Sequence, residues 1–205
     1  MSSLVAQSIV HGTTGTSNSP SGAVWTLKKE SEIRCEVSDT DSPLILKLVS
    51  GTAEIFGVEM TLNKEYVFVN ENFALFTWYG CVIESTGNGQ IYESGNTPMV
   101  AYVNTHIQLE ALRDVAFANG TVGPRVIVVG PKDHGKSTLS RILVTYAARL
   151  DRVPIFVDLD VGQSVLSVPG TLCATPIEKA ALNVEVSSLV CCEFSIPHNN
   201  AGSML

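Results

Sequence analysis

A chain of 205 residues is long enough to bury one or two hydrophobic cores. With 45% hydrophobic and 16% charged residues it is not a largely disordered protein. Its net charge of −7 excludes the chain-wide basic face of an ordinary nucleic-acid binder, so any nucleic-acid contact is local or comes through a partner.

No apolar run approaches the roughly 20 residues that span a bilayer, and no membrane association is expected. The start, MSSLVAQSIVHGTTG, lacks the charged region and long apolar core of a signal peptide. The cysteines are Cys35, Cys81, Cys173, Cys191 and Cys192. They are odd in number and form no C-x-x-C pair, which points to free thiols in a reducing cytosolic or nuclear setting.

Residues 1–23 are rich in Ser, Thr and Gly and read as a flexible tail. A β domain is expected over 24–104. In SEIRCEV, Ile33, Cys35 and Val37 alternate with Glu32, Arg34 and Glu36, the period of a half-buried strand. LILKLVS, TAEIFGVEMTL, KEYVFV, FALFTWYGCVIEST and QIYES follow at short spacing, separated by Gly51, Asn63-Lys64, Asn70-Glu71-Asn72 and Gly87-Asn88-Gly89. Short strands with such turns predict a small sandwich or barrel. Residues 105–124 read as a helix and linker, with a loose helical stripe of Ile107, Leu109, Leu112, Val115 and Ala116. The breakers of NGTVGPR follow.

Residues 125–205 read as a nucleotide-binding domain whose tail loses its pattern from about 179. VIVVG is a short β-branched run that predicts a strand buried on both faces. Leu139, Ile142, Leu143, Tyr146, Ala147 and Leu150 recur at helical steps and predict an amphipathic helix over 136–150. VPIFVDLD predicts a second buried strand. Strand, helix and strand in about 30 residues predict a βαβ unit and the start of a parallel sheet.

Between the first strand and the helix lies GPKDHGKST, which fits G-x-x-x-x-G-K-[ST]. Glycines such as Gly130 and Gly135 let the backbone curl so that its N–H groups face phosphate oxygens, and the helix adds its positive end. Lys136 would reach the β- and γ-phosphates, and Ser137 would offer a hydroxyl to Mg²⁺. His134 reads as a loop side chain facing solvent. Asp158 and Asp160 stand two apart at the end of the second strand and would share a face. There a carboxylate can hold Mg²⁺ or its waters, or accept a proton from an attacking hydroxyl. Gln163 lies just beyond, able to orient water or phosphate. This pattern alone leaves transfer to a substrate and simple hydrolysis equally open.

Several stretches together carry a resemblance: ESEIRCEV, GTAEIFGVEM, FTWYGC, TPMVAYVNTH, GPRVIVVGPKDHGKST and VDLDVGQSVLSVPGT, from about Trp25 to about Glu178. In order and spacing the chain resembles the polynucleotide 5′-hydroxyl kinases that serve as a subunit of pre-mRNA cleavage factor II. The resemblance implies an α/β P-loop NTPase domain of kinase type, with an incomplete parallel sheet, preceded by a small N-terminal β-sandwich. It implies ATP and Mg²⁺ as ligands, RNA 5′-hydroxyl ends as substrate, a nuclear location, and partners in the cleavage and polyadenylation complex and the tRNA splicing endonuclease. Glu32 matches a glutamate that helps the β domain hold the nucleotide. Asn72 stands where the family has a basic nucleotide contact. Asp133, His134, Gly135, Lys136, Ser137 and Thr138 match the loop, His134 where a small or apolar residue is commoner. Asp158 and Asp160 would face the metal, and Asp160 would be the general base for the RNA 5′-hydroxyl. After Glu178 the family's further strands and arginine-bearing lid find no match, so a C-terminally shortened member is expected. A catalytically inactive, ATP-binding scaffold subunit is the alternative to a working kinase. A P-loop ATPase or GTPase of another class, without RNA, is a third reading against which the β-domain motifs argue.

Overall fold

The computed structural model describes residues 22–38, 42–160, 166, 170–180 and 194–195. Nine strands come first: β1 (Ala23–Leu27), β2 (Ser31–Glu36), β3 (Leu44–Gly51), β4 (Glu54–Ile55), β5 (Val58–Glu59), β6 (Glu65–Phe68), β7 (Asn72–Thr77), β8 (Cys81–Gly87) and β9 (Gln90–Glu93). Two helices follow, α1 (Met99–Ala118) and α2 (Lys136–Arg149), then β10 (Ile155–Asp158), β11 (Thr171–Pro176) and β12 (Phe194–Ser195). Most of the expected tail, and Cys191, Cys192 and Gln163, lie outside the described residues.

The first nine strands form two antiparallel sheets, ordered β1-β8-β3-β6 and β5-β4-β7-β2-β9. Their inner faces meet in one core that includes Ile33, Leu46, Ile55, Leu75 and Ile83, all fully buried. Each such aliphatic side chain contributes about 1.5–3 kcal/mol by leaving water. The β-sandwich expected from the alternation is present. TAEIFGVEM is not one strand but a tight hairpin, β4-β5, because Phe56 and Gly57 both take positive φ, +49° and +82°. Two positive φ values in a two-residue loop match the twist of the strands they join.

The outer face of the five-stranded sheet is also covered, which alternation alone did not indicate. Glu54 on β4 and Glu32 on β2 both stand opposite Phe76 on β7, so the three form one row across three strands. Phe76 packs with Met99 of α1 and with Ile142 and Tyr146 of α2. Glu54 is buried and accepts from the Tyr146 hydroxyl and from Arg149, at 3.3 Å. Burial pushes the Glu54 carboxyl above its usual range, against the opposing pull of Tyr146 and Arg149. Arg149 also donates to the Gly57 carbonyl at 2.9 Å and to Glu59 at 2.6 Å. A Cβ on Gly57 would lie 3.2 Å from the side chains of Thr145 and Tyr146, so the hairpin tip lies directly against α2. Arg141 stacks 3.6 Å from the Phe56 ring centre and pairs with Glu71 at 3.3 Å. The helix after the phosphate loop is thus bolted to the sandwich by packing and charge.

Helix α1 begins at Met99, earlier than the 105 expected, because Pro98 leads into it with helical dihedrals. Of its expected stripe, Leu109 and Ala116 are buried while Ile107, Leu112 and Val115 are exposed. Arg152 ties α1 to the end of α2 through Glu110 at 3.0 Å and through Asp114.

The strand expectations of the second half need correction. Residues 121–130 form no strand, and Val126, Ile127 and Val129 are more than half exposed. β-branched residues favour extension, but a strand exists only where a neighbour takes its hydrogen bonds, and among the described residues none does. β10 is present, yet Ile155 and Val157 are also more than half exposed, so it is not buried on both faces. It pairs with β11 antiparallel, and β11 with β12 antiparallel, in place of the parallel pairing expected here. β11 is reached without an intervening helix among the described residues, and parallel neighbours need such a crossover.

His106 of α1 is buried against the Tyr146 ring of α2, its Nδ1 without a hydrogen-bond partner and 3.9 Å from Glu110. Burial lowers its pKa, Glu110 opposes this, and Arg113 and Arg149 reinforce it. The folded state therefore binds this proton less well than the unfolded chain. The stability it lends is present above the unfolded histidine value of about 6.5 and is lost as pH falls below it. Acidification from about pH 7.5 to about 5.5 should lower the melting temperature more in the wild type than in His106→Gln. Equal slopes in thermal melts of the two would rule out this role.

Candidate functional site

An open cavity of about 640 Å³ lies between the outer face of the five-stranded sheet and the loop that opens α2. Its sandwich wall is built by period two. Ile33 and Cys35 point into the core, which turns Glu32, Arg34 and Glu36 outward into the cavity. Asn72, Ala74 and Phe76 do the same from β7. Residues 132–138 form the facing wall, and Asp160 lies at its side.

The loop owes its shape to two left-handed residues. Asp133 has φ +60°, and Gly135, which caps α2, has φ +73°. No side chain caps the helix, so its first N–H groups stay available to an acceptor in the loop. This is the arrangement that binds phosphate. The Lys136 ammonium donates to the Pro131 carbonyl at 2.6 Å, which keeps it at the loop. His134 is exposed, as expected, and its Nδ1 lies 2.7 Å from the Lys132 carbonyl. That carbonyl can only accept, so Nδ1 carries the proton.

Of the residues singled out in the sequence, Glu32, Asn72, Asp133, His134, Gly135, Lys136, Ser137, Thr138 and Asp160 all line this one cavity. Gly130 and Asp158 do not. Gly130 lies beside the Lys136 side chain: a Cβ added there would stand 3.8 Å from Lys136 Cδ. Asp158 and Asp160 do not share a strand face: β10 ends at Asp158, which is buried, while Asp160 lies beyond it and is exposed. Asp158 instead accepts the Asp160 backbone N–H at 3.0 Å, which sets the turn that carries Asp160 to the cavity.

The donor set suits Mg²⁺. A Ser137 hydroxyl and an Asp160 carboxylate share the cavity, and Mg²⁺ takes few protein oxygens, completing its shell with phosphates and water. No group of three or more His, Cys, Asp or Glu side chains that could hold a metal by themselves occurs among the described residues.

Two family models match the chain. Residues 26–116 match the N-terminal β-sandwich domain of polyadenylation factor, and residues 130–196 match the P-loop of mRNA cleavage and polyadenylation factor CLP1. The chain belongs to this polyadenylation factor family. The sandwich followed by a P-loop domain is the family's architecture. Among curated relatives, polyribonucleotide 5′-hydroxyl-kinase Clp1 of Xenopus tropicalis is 49% identical over 76% of this chain and 36% of its own length. The Homo sapiens protein of the same name is 48% identical over 76% of this chain and 37% of its own. A solved structure of a wild-type Clp1p–Pcf11p complex has TM-score 0.68 at 29% identity, covering 78% of this chain and 37% of that one. The chain therefore spans little more than a third of the length of the relatives it matches.

Sequence reading passed over Arg34, Tyr92, Phe76, Tyr102 and Thr97. Arg34 and Tyr92 line the cavity, Arg34 pairing with Glu32 at 3.1 Å and Tyr92 donating to Glu36 at 2.9 Å. The signal for Arg34 was its place between Glu32 and Glu36 on one face of the strand.

A Cβ on Gly135 would meet nothing within 4 Å, so replacement there acts through the backbone alone. Gly135→Ala should cost about 1–2 kcal/mol of stability, the strain of a left-handed alanine. Denaturant melts that coincide with the wild type would show that the loop does not need this conformation.

Proposed function

We propose that this chain binds ATP with Mg²⁺ between its sandwich and its P-loop domain, and that it forms the nucleotide-binding part of a kinase that phosphorylates RNA 5′-hydroxyl ends. The observation that supports this best is the single cavity in which the phosphate loop, Glu32 and Asp160 converge. A P-loop alone fits any nucleotide hydrolase. A sandwich wall with a carboxylate and an arginine opposite the loop adds a second binding surface for the nucleoside.

In this reading the loop N–H groups and Lys136 hold the β- and γ-phosphates. Ser137 and Asp160 would hold Mg²⁺, which would supply positive charge against the charge that develops on the phosphates. Asp158 fixes the turn that presents Asp160. Asp160 accepts the proton of the RNA 5′-hydroxyl as its oxygen attacks the γ-phosphorus. The bond from that phosphorus to the bridging oxygen breaks, ADP leaves, and the RNA ends in a 5′-phosphate.

The relatives named polyribonucleotide 5′-hydroxyl-kinase support the substrate, and the Clp1p–Pcf11p complex supports other cleavage-complex subunits as partners. A nuclear location is proposed because mRNA 3′ ends are made in the nucleus. The tRNA splicing endonuclease as a further partner rests on the sequence resemblance. A scaffold subunit that binds ATP without turnover is the second reading. It is favoured by the likeness to a Clp1p held in complex with another subunit, Pcf11p.

Lys136→Ala should weaken ATP binding at least about tenfold, as loss of a charged phosphate contact does. Asp160→Asn should bind ATP without Mg²⁺ as the wild type does and should abolish transfer of the γ-phosphate to a 5′-hydroxyl oligoribonucleotide. Binding of ATP with no transfer by the wild type would select the scaffold reading. Transfer undiminished in Asp160→Asn would remove Asp160 as base.

A further inference from the structure

The segment TPMVAYVNTH brings Pro98, Met99 and Tyr102 to the cavity. In the structure it leads from β9 into α1 and comes to lie beside Glu32, 65 residues away in sequence. The Thr97 hydroxyl donates to Glu32 Oε2 at 2.7 Å and accepts the Met99 N–H at 3.3 Å. The second contact uses the hydroxyl's acceptor side at the helix start, so its single proton is directed at the carboxylate. The other carboxylate oxygen, Oε1, takes the Arg34 guanidinium at 3.1 Å through both Nε and Nη2.

Glu32 is only 3% exposed, yet it lines the cavity. A buried carboxylate persists only with its oxygens satisfied. Arg34 brings two N–H groups to Oε1 and Thr97 one O–H to Oε2, so three of a carboxylate's roughly four acceptor positions are taken. The position left over, on Oε2, suits a ligand that brings an N–H or O–H donor, such as a nucleobase amino group or a ribose hydroxyl. Arg34 is 47% exposed at its side chain and can follow a moving carboxylate. Thr97 cannot, because the first turn of α1 holds it, and Met99 of that turn is packed on Phe76, Ile142 and Tyr146. Thr97 itself does not line the cavity.

We propose that Thr97 is a positioning residue for nucleotide binding: its hydroxyl fixes the Glu32 carboxylate so that the remaining acceptor position on Oε2 faces the nucleoside. This rests on the reading of the cavity as an ATP site. It ties the sandwich wall to the helix layer that also carries the phosphate loop.

The test is ATP titration by calorimetry on the 205-residue chain and its variants. Thr97→Val keeps the shape and removes the proton, and should raise the Kd for ATP about tenfold, the loss of one hydrogen bond to a charged group. Thr97→Ser should restore it. In a Glu32→Ala background, Thr97→Val should change the Kd by less than about twofold, because the group it positions is gone. A merely structural effect would weaken binding equally in both backgrounds and would overturn the proposal, as would an unchanged Kd in Thr97→Val. No ATP binding by the wild type would instead overturn the nucleotide-site reading, and this proposal with it.

Discussion

The row Glu54, Phe76 and Glu32 across the five-stranded sheet is the constraint on which the rest of the molecule depends. These residues sit on the face of the sandwich that an isolated β domain would turn to water. Glu54 and Glu32 are nonetheless buried, and two buried carboxylates with an apolar ring between them are tolerable only if another layer meets them. Tyr146 and Arg149 satisfy Glu54, Met99 and Ile142 cover Phe76, and Thr97 and Arg34 satisfy Glu32. Removing one partner leaves the charge behind, which is the expensive outcome. The row thus selects one placement of α2 on the sandwich, and α2 begins at the phosphate loop. Position of the loop relative to Glu32 follows from that single docking.

The two walls of the cavity carry different chemistry. The loop wall offers backbone N–H groups, Lys132 and Lys136, suited to phosphate oxygens. The sandwich wall offers Glu32 and Glu36 with Arg34 between them, suited to donors on a nucleoside. A chain of net charge −7 repels polyphosphate at long range, so the attraction must be local. Closing the loop on Gly135 concentrates it there. An RNA strand would meet the same overall repulsion.

Much of this was legible in the sequence because it was local. The phosphate loop is a contiguous motif, and α2 announced its buried face through Ile142, Leu143, Tyr146 and Ala147. The period of β2 assigned Ile33 and Cys35 to the core and put Glu32 and Arg34 together. What the period could not tell was that a second layer covers Glu32, since a solvated acid and a satisfied buried one alternate alike. The contacts that decide it are long-range: Tyr146 to Glu54 spans 92 residues and Thr97 to Glu32 spans 65. The strand expected at VIVVG failed for a related reason. Its β-branched residues express a preference, whereas a strand is a pairing, and no described neighbour takes it. Asp158 and Asp160 were read as alternating on a strand, but the strand ends at the first of them and the buried Asp158 turns back to hold the chain.

In the proposed function, nucleotide is gripped by both layers at once. Hydrogen–deuterium exchange of the wild-type chain with and without ATP and Mg²⁺ tests it most directly. The account predicts slower exchange on ligand addition in three separate stretches together: 130–138 of the loop, 31–36 of β2 and 97–102 at the start of α1. Protection confined to the loop, with β2 and the α1 start unchanged, would contradict it and reduce the sandwich to a support that does not touch the ligand.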